Sequence, residues 1–551
     1  MNTVSVRNLG DLLDQTAAEH AARDAVIFQG RRLNYAEVQG KTNQLAKTLL
    51  SLGVQPGDKV AIWITNRPEW VFSEFAIAKV GGIIVPMYTR LGLADVEFIL
   101  KQSDCKVLIM MDSFLKHNYV DMLYGMCPEI KTCPPGEELQ VAKLPFLRRV
   151  ICLSTKGEKY PGTIDFSEAL QIGLDTKSDQ DLAARQGGVS PEMVVNIPFT
   201  SGTTGHPKGV MTTHGQYLEE LQGQGDNWQI TCEDRFMGNN PLCFNLGNMT
   251  HLMLAVKYGA SIILTELFEP GEALRLIQEE RCTVLSGFAT VFLMLLEHPE
   301  AGNYDTSSLR TGLIALPNIS DPVSLVRRVQ DKLRMSGITA AYGMTENTGC
   351  TSMTRIGDSP ETIANTVGRP LPGVEVKVID PQTGKDLPRG EEGELCTRGF
   401  LVLKGYFKMP EETAKKIDSD GWFHTGDFAV INENSYISIK GRLLDMIKSG
   451  GISVYPGEIE KFISGYPGVK EVQVVGIPDS RRGEVPAAFV QQENPEAAIT
   501  SEEILNFCRG MIADYKIPRY IFFVNEFPLS SLGKVQKFKL REAAAEQLNN
   551  Q

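Results

Sequence analysis

Tyr35, Val38, Thr42, Leu45, Leu49 and Leu52 recur every three or four positions, which predicts a helix with one buried face. Gly53 and the turn Pro56-Gly57-Asp58 break it. Lys59-Val60-Ala61-Ile62-Trp63-Ile64 reads as a strand, Pro68 to Val80 as a helix, and Ile83-Ile84-Val85-Pro86 as a short strand. Asp95 to Gln102 is helical again, and Lys106-Val107-Leu108-Ile109-Met110 is another strand. This alternation predicts an α/β fold with largely parallel sheets. Residues 126 to 160 are richer in Pro, Gly and charge and read as a surface excursion. Met193 to Pro198 reads as a short buried strand. From 369 to 406, Pro and Gly recur among short β patterns such as Val374-Glu375-Val376-Lys377-Val378-Ile379, which predicts a β-rich subdomain. After Gly441-Arg442 the pattern becomes that of a small α+β unit. There Thr500 and Glu503 form a capping box for a helix through Ile512.

A chain of 551 residues is too long for one compact core, so two or more domains are expected. The net charge of −12 argues against broad nucleic-acid binding, which needs a basic face, but leaves room for a local basic groove. No stretch approaches eighteen uninterrupted apolar residues, and the start lacks a basic-then-apolar leader, so no membrane span is expected. The ten cysteines are scattered. Only Cys127 and Cys133 lie close, with no second pair or nearby His to complete a zinc set. Free, mostly buried thiols in a reducing cytoplasm are the expectation.

The chemistry concentrates in Phe199-Thr200-Ser201-Gly202-Thr203-Thr204-Gly205-His206-Pro207-Lys208-Gly209. Glycines let main-chain N–H groups approach an anion, hydroxyls donate further hydrogen bonds, and Lys208 adds a positive charge. A strand entering such a loop is a phosphate clamp. It is not a Walker loop, because Pro207 precedes the lysine and Gly209 follows it. In Ala341-Tyr342-Gly343-Met344-Thr345-Glu346, Tyr342 offers a flat face for a base, Thr345 a hydroxyl for a phosphate, and Glu346 a carboxylate for Mg2+, which favours oxygen ligands. Trp422-Phe423-His424-Thr425-Gly426-Asp427 and Leu532-Gly533-Lys534-Val535-Gln536-Lys537 are weaker alone, since Gly-Asp also marks a turn and Lys534 opens a basic tail.

Together, from about Leu33 to Leu540, these motifs resemble the AMP-forming adenylating enzymes, which include acyl-CoA synthetases, luciferases and peptide-synthetase adenylation domains. The resemblance implies a large N-terminal domain (residues 1–441) and a small mobile C-terminal domain (442–551), with a hinge at Leu444. It implies phosphate contacts from Thr200, Ser201, Gly202, Thr203, Thr204, Gly205 and Lys208, and ribose contacts from Asp427. Arg442 matches a further nucleotide contact, Tyr342 and Thr345 line the ATP site, and Lys534 is the mobile catalytic lysine. His424 is expected to be structural. Ser449, Gly450 and Gly451 would face coenzyme A. The implied reaction joins a carboxylic acid to coenzyme A at the expense of ATP, with Mg2+, through an acyl-adenylate. A same-fold alternative passes the acyl group to a carrier protein or another acceptor. A homo-oligomer is left open.

The chain also departs from the family pattern. Leu444 stands where Asp or Lys is common. The loop Ala315-Leu316-Pro317 is one residue short, Ala340 replaces an amide, and Pro241-Leu242-Cys243-Phe244 ends in Phe rather than His. Phe244-Asn245-Leu246 offers no carboxylate for an α-ammonium group, so an amino-acid substrate is not expected. Trp228, Phe244, Phe288, Leu316, Gly343 and Met344 are the expected acyl-pocket residues. They suit a short- or medium-chain, alicyclic or aromatic acid.

Overall fold

The computed structural model describes residues 6–134, 136–200, 207–316, 319, 321–449, 452–479, 482–494, 499–509, 511–529 and 534–549, without the side chains of Leu444, Ile452, Ser453 and Asn549. Ser201, Gly202, Thr203, Thr204, Gly205, Gly450 and Gly451 therefore lie outside the described residues.

Two mostly parallel sheets form the larger body. In the first, Val194–Asn196, Ile83–Pro86, Lys59–Trp63, Cys105–Met111, Arg149–Leu153 and Ile164–Asp165 run parallel in that spatial order. Helices Tyr35–Ser51, Pro68–Lys79 and Leu93–Gln102 connect or pack beside them. The 35–52 pattern forms the predicted helix, with an Asn34–Glu37 capping box at its start. Ile83–Pro86 and Val374–Ile379 keep their predicted bounds. Strands buried on both faces need near-continuous apolar runs, which is why Ile83–Pro86 reads so clearly, whereas Val374–Ile379 reads from its alternation of apolar and charged positions. In the second sheet, Asp24–Phe28, Ser261–Leu264 and Arg235–Gly238 run parallel. Bridges through Val284 extend it to Thr311–Ala315 and Gly337–Thr339.

The surface-excursion reading of 126–160 needs correction. Arg149–Leu153 is an internal strand of the first sheet, and Ile130, Leu139, Val141, Leu144 and Leu147 are buried around it. The irregular stretch turns most of its apolar residues inward, while Phe146 remains exposed.

The β-rich part is an antiparallel sheet of Val374–Ile379, Glu392–Gly399, Phe423–Ile431 and Ile437–Arg442, so it continues well past residue 406. The smaller unit beyond it pairs Ile447–Ser449, Gly483–Gln492, Val469–Asp479 and Tyr520–Phe523. Its two apolar clusters, around Ile459 and Val474 and around Phe489 and Leu540, draw only on residues after 446. Thr500 and Glu503 form the expected capping box, but the helix spans Ser501–Cys508 rather than reaching Ile512.

Candidate active site

Residues 201–207 connect the strand Phe199–Thr200 to Lys208–Thr213, which pair antiparallel with Thr200 opposite Lys208. On its other edge, Lys208–Thr213 pairs with Gly405–Tyr406. That pairing brings together residues almost two hundred positions apart. The Lys208 ammonium lies 2.6 Å from Glu412 Oε2 and 5.2 Å from the centroid of the Tyr406 ring. The Tyr406 hydroxyl donates to Glu346 Oε1 at 3.1 Å. Glu346 is fixed from its backbone as well, its carbonyl accepting from Leu403 N–H at 2.9 Å. Thr345 sits beside it in the single 3-10 turn Thr345–Asn347.

Strand register assembles the other half. Asp427 pairs directly with Arg442 in the antiparallel sheet. Arg442 Nε meets Asp427 Oδ1 at 2.9 Å, and the Tyr342 hydroxyl donates to Asp427 Oδ2 at 2.6 Å. Burial raises the Asp427 pKa against the opposing pull of Arg442. Burial raises the Tyr342 hydroxyl further, so it remains a donor. Lys534 lies within electrostatic reach of Arg442, Glu346 and Asp427. Removal from water and the Arg442 charge hold its pKa down, while the two carboxylates pull it back up. The sites carried by the two halves of the sequence thus share one electrostatic neighbourhood.

His424 is engaged by the fold. Its Nδ1 is 3.1 Å from Glu394 Oε2, and Glu394 Oε1 accepts from Gly426 N–H at 3.0 Å. Leu444 lies in the 3-10 turn Leu443–Asp445, and the adjacent Asp445 accepts from Arg541 at 3.1 Å. Ser449 is buried at the edge where its strand meets Gly483.

The expected acyl residues occupy different environments. Phe244 packs against Tyr88 with ring centroids 5.0 Å apart. Leu316 is partly buried against the cluster containing Phe292 and Ile314. Met344 packs on the Val210, Leu403, Tyr406 and Phe423 cluster. Phe288 is exposed. Trp228 is fully buried, its indole N–H donating to Thr339 Oγ1 at 2.9 Å. Gly343 faces backbone: a Cβ there would stand 1.6 Å from the Gly349 carbonyl oxygen.

Several participants carried no motif. Tyr406 and Glu412 reach Lys208 only through strand pairing. Asn245 Nδ2 donates to the Thr348 carbonyl at 2.7 Å, tying the Phe244 wall to the turn after Glu346. Thr348, a β-branched residue, holds φ +58°, an uncommon conformation that marks a constrained turn. Glu220 is fully buried and accepts from Cys350 N–H at 2.8 Å and Gln224 Nε2 at 2.6 Å, bracing the same turn.

Burial pushes the Glu220 carboxyl up to about 8. An unfolded glutamate loses its proton near pH ~4.3. Between these values the folded state binds more protons than the unfolded, so this group's contribution to stability falls as pH rises. Glu220→Gln keeps the amide oxygen for Cys350 and removes the titration. Its melting temperature relative to wild type is expected to rise steadily from pH 5 to pH 8. A constant gap would contradict this account of the group.

A hairpin-borne lysine, a carboxylate beside it, a strand-paired aspartate and arginine, and a second lysine from the smaller unit define an AMP-forming acid–thiol ligase when set in this two-unit α/β fold. The comparisons agree. The AMP-binding enzyme family matches residues 13–407, and the AMP-binding enzyme C-terminal domain matches 458–534. YngI of Bacillus subtilis (strain 168), a provisionally assigned acyl-CoA synthetase, is 38% identical over 543 residues, covering 98% of each chain. The mitochondrial medium-chain acyl-CoA ligase ACSF2 of Homo sapiens is 36% identical over 550 residues, covering 98% of this chain and 88% of that one. The crystal structure of the anthranilate CoA ligase AuaEII in complex with anthranoyl-AMP superposes with a TM-score of 0.81 at 28% identity, covering 98% of this chain and 97% of that one.

The chain belongs to the AMP-binding enzyme family and is an AMP-forming acyl-CoA synthetase. ATP and coenzyme A are its co-substrates. A carboxylate oxygen attacks the α-phosphorus of ATP and pyrophosphate leaves. The coenzyme A thiol then attacks the acyl carbonyl and AMP leaves. Among the described residues, no helix is long and apolar enough to cross a membrane.

Proposed function

We propose that this synthetase activates a compact hydrophobic acid: a short- or medium-chain fatty acid or a six-membered-ring carboxylate. The observation that carries this reading is the Phe244–Tyr88 ring pair. The neighbouring Asn245 amide is already committed to Thr348, so that wall offers the substrate an apolar face. Leu316 sits on the loop expected to close the pocket from another side. Shrinking Phe244 or Leu316 to Ala is expected to lengthen the preferred acid, each added methylene gaining about 1 kcal/mol of specificity. The test is activity against acids from acetate to palmitate, with benzoate and cyclohexane carboxylate. A wild-type optimum at palmitate would overturn the reading.

In this reading Lys208 and the loop before it hold the phosphates. Asp427 takes the ribose hydroxyls. One of its oxygens accepts a hydrogen bond from Tyr342 and the other faces Arg442 in an ion pair, and a carboxylate has further lone pairs to offer. The Tyr342 hydroxyl is anchored to that carboxylate, which fixes its ring as a face for the adenine. Glu346 suits Mg2+, being one carboxylate with a hydroxyl donor on one oxygen and Thr345 alongside. The ion when bound neutralises phosphate charge. Lys534 directs its positive charge at the transferring phosphoryl group.

The smaller unit, from residue 442 onward, is proposed to turn about the Leu444 segment after adenylation. That motion would withdraw Lys534 and bring Ser449, Gly450 and Gly451 to the coenzyme A thiol. The two separate apolar clusters of this unit support its moving as one body. The ten cysteines of the whole chain are all free thiols, which suits a reducing compartment such as the cytoplasm.

A further inference from the structure

We propose that Glu412 is an internal anion that occupies Lys208 until a polyphosphate displaces it, and so sets the enzyme's affinity for ATP and pyrophosphate. This rests on the reading of Lys208 as a phosphate contact.

Backbone and hydroxyl contacts place Glu412 opposite Lys208 independently of its charge. Tyr406 N–H donates to Thr413 Oγ1 at 2.9 Å, and Thr413 Oγ1 donates to the Met409 carbonyl at 3.0 Å. These bonds hold the short helix Pro410–Ala414 against the strand that pairs with Lys208–Thr213. One Glu412 oxygen then meets Lys208 at 2.6 Å and the other meets Lys415 at 2.5 Å. The carboxylate is therefore divided between two lysines. Those hydrogen bonds, Lys208 first, hold its pKa down at about 2, so it stays anionic across any working pH.

An entering triphosphate competes with this carboxylate for the Lys208 ammonium. It brings several negative charges to a site where Glu412 offers one. The same competition helps pyrophosphate leave, because the carboxylate can return to the lysine as the product departs. Removing the carboxylate charge leaves Lys208 uncompensated in the nucleotide-free enzyme, and every polyphosphate should bind more tightly. Lys415 acts with the opposite sign. It draws on the same carboxylate, so its loss leaves Glu412 to Lys208 alone.

The experiment measures equilibrium binding of ATP and of pyrophosphate to the full chain and to four variants. Glu412→Gln is expected to tighten both ligands roughly two- to fivefold, the scale of one partly exposed ion pair. Lys415→Gln is expected to weaken both. Lys208→Ala is expected to weaken both, and Glu412→Gln should have no effect in that background. Melting temperatures identify any variant that fails to fold, and Glu412→Asp, which keeps the charge on a shorter arm, then serves as the second test with tightening expected. Unchanged or weaker binding in Glu412→Gln, or a tightening by Glu412→Gln that persists without Lys208, would overturn the proposal. If Lys208→Ala alone leaves ATP affinity intact, it is instead the phosphate reading of Lys208 that fails.

Discussion

Replacing Lys534 with alanine is expected to abolish acyl-adenylate formation while sparing transfer of a supplied acyl-AMP to coenzyme A. The lysine shares an electrostatic neighbourhood with Glu346, Asp427 and Arg442, the groups assigned to the nucleotide. A positive charge aimed at the transferring phosphoryl group is worth about 10²–10³ in rate when removed. In the second half-reaction no phosphoryl group is transferred, and the same charge has no developing partner. The two half-reactions, measured separately by pyrophosphate release and by thioester formation, should therefore diverge. Equal loss of both would mean that Lys534 supports the fold rather than the chemistry. Normal acyl-AMP formation would mean it serves neither.

The second large effect is expected at Gly343. A Cβ at this position would lie 1.6 Å from the Gly349 carbonyl oxygen and 3.0 Å from Cys350 Cα. Neither neighbour is the yielding end of a side chain. Gly349 cannot retreat freely either, because Glu220 Oε1 stands 2.5 Å from where its own Cβ would be. Gly343→Ala must then push Tyr342 and Glu346 away from the turn that braces them. A displacement near 1 Å at a positioning segment can cost on the order of 10²-fold in rate. Overpacking typically adds about 1–3 kcal/mol of destabilisation. The expected result is a folded enzyme with lowered melting temperature and a kcat/KM for ATP reduced to that extent. A variant with wild-type ATP kinetics would place the Tyr342–Glu346 segment outside the nucleotide site.

Much of this molecule is legible in its sequence for a physical reason. The helix from Tyr35 and the strand Ile83–Pro86 are buried on faces whose apolar spacing records their geometry. The capping box at Thr500 is local chemistry between residues three apart. The proposed phosphate loop is legible because glycines, hydroxyls and a lysine must be adjacent in the chain to surround one anion. Arg149–Leu153 was hidden because Pro, Gly and charged residues on either side dominate the composition around a five-residue strand. Tyr406, Glu412, Asn245 and Glu220 were hidden for a different reason. Each acts through a partner at least 60 positions away, reached by strand pairing or helix packing that no local pattern records. Asp427 and Arg442 fall between these cases. Each stands in a recognisable motif, but it is the register of two antiparallel strands that closes the ion pair.

The central claim is that the acid is activated as an adenylate before coenzyme A takes part. Exchange of labelled pyrophosphate into ATP, measured without coenzyme A, tests it most directly. The account predicts exchange that depends on a hydrophobic carboxylic acid, proceeds with no thiol present, and is lost in Lys534→Ala. Exchange that requires coenzyme A, or cleavage of ATP to ADP and phosphate in its place, would contradict it.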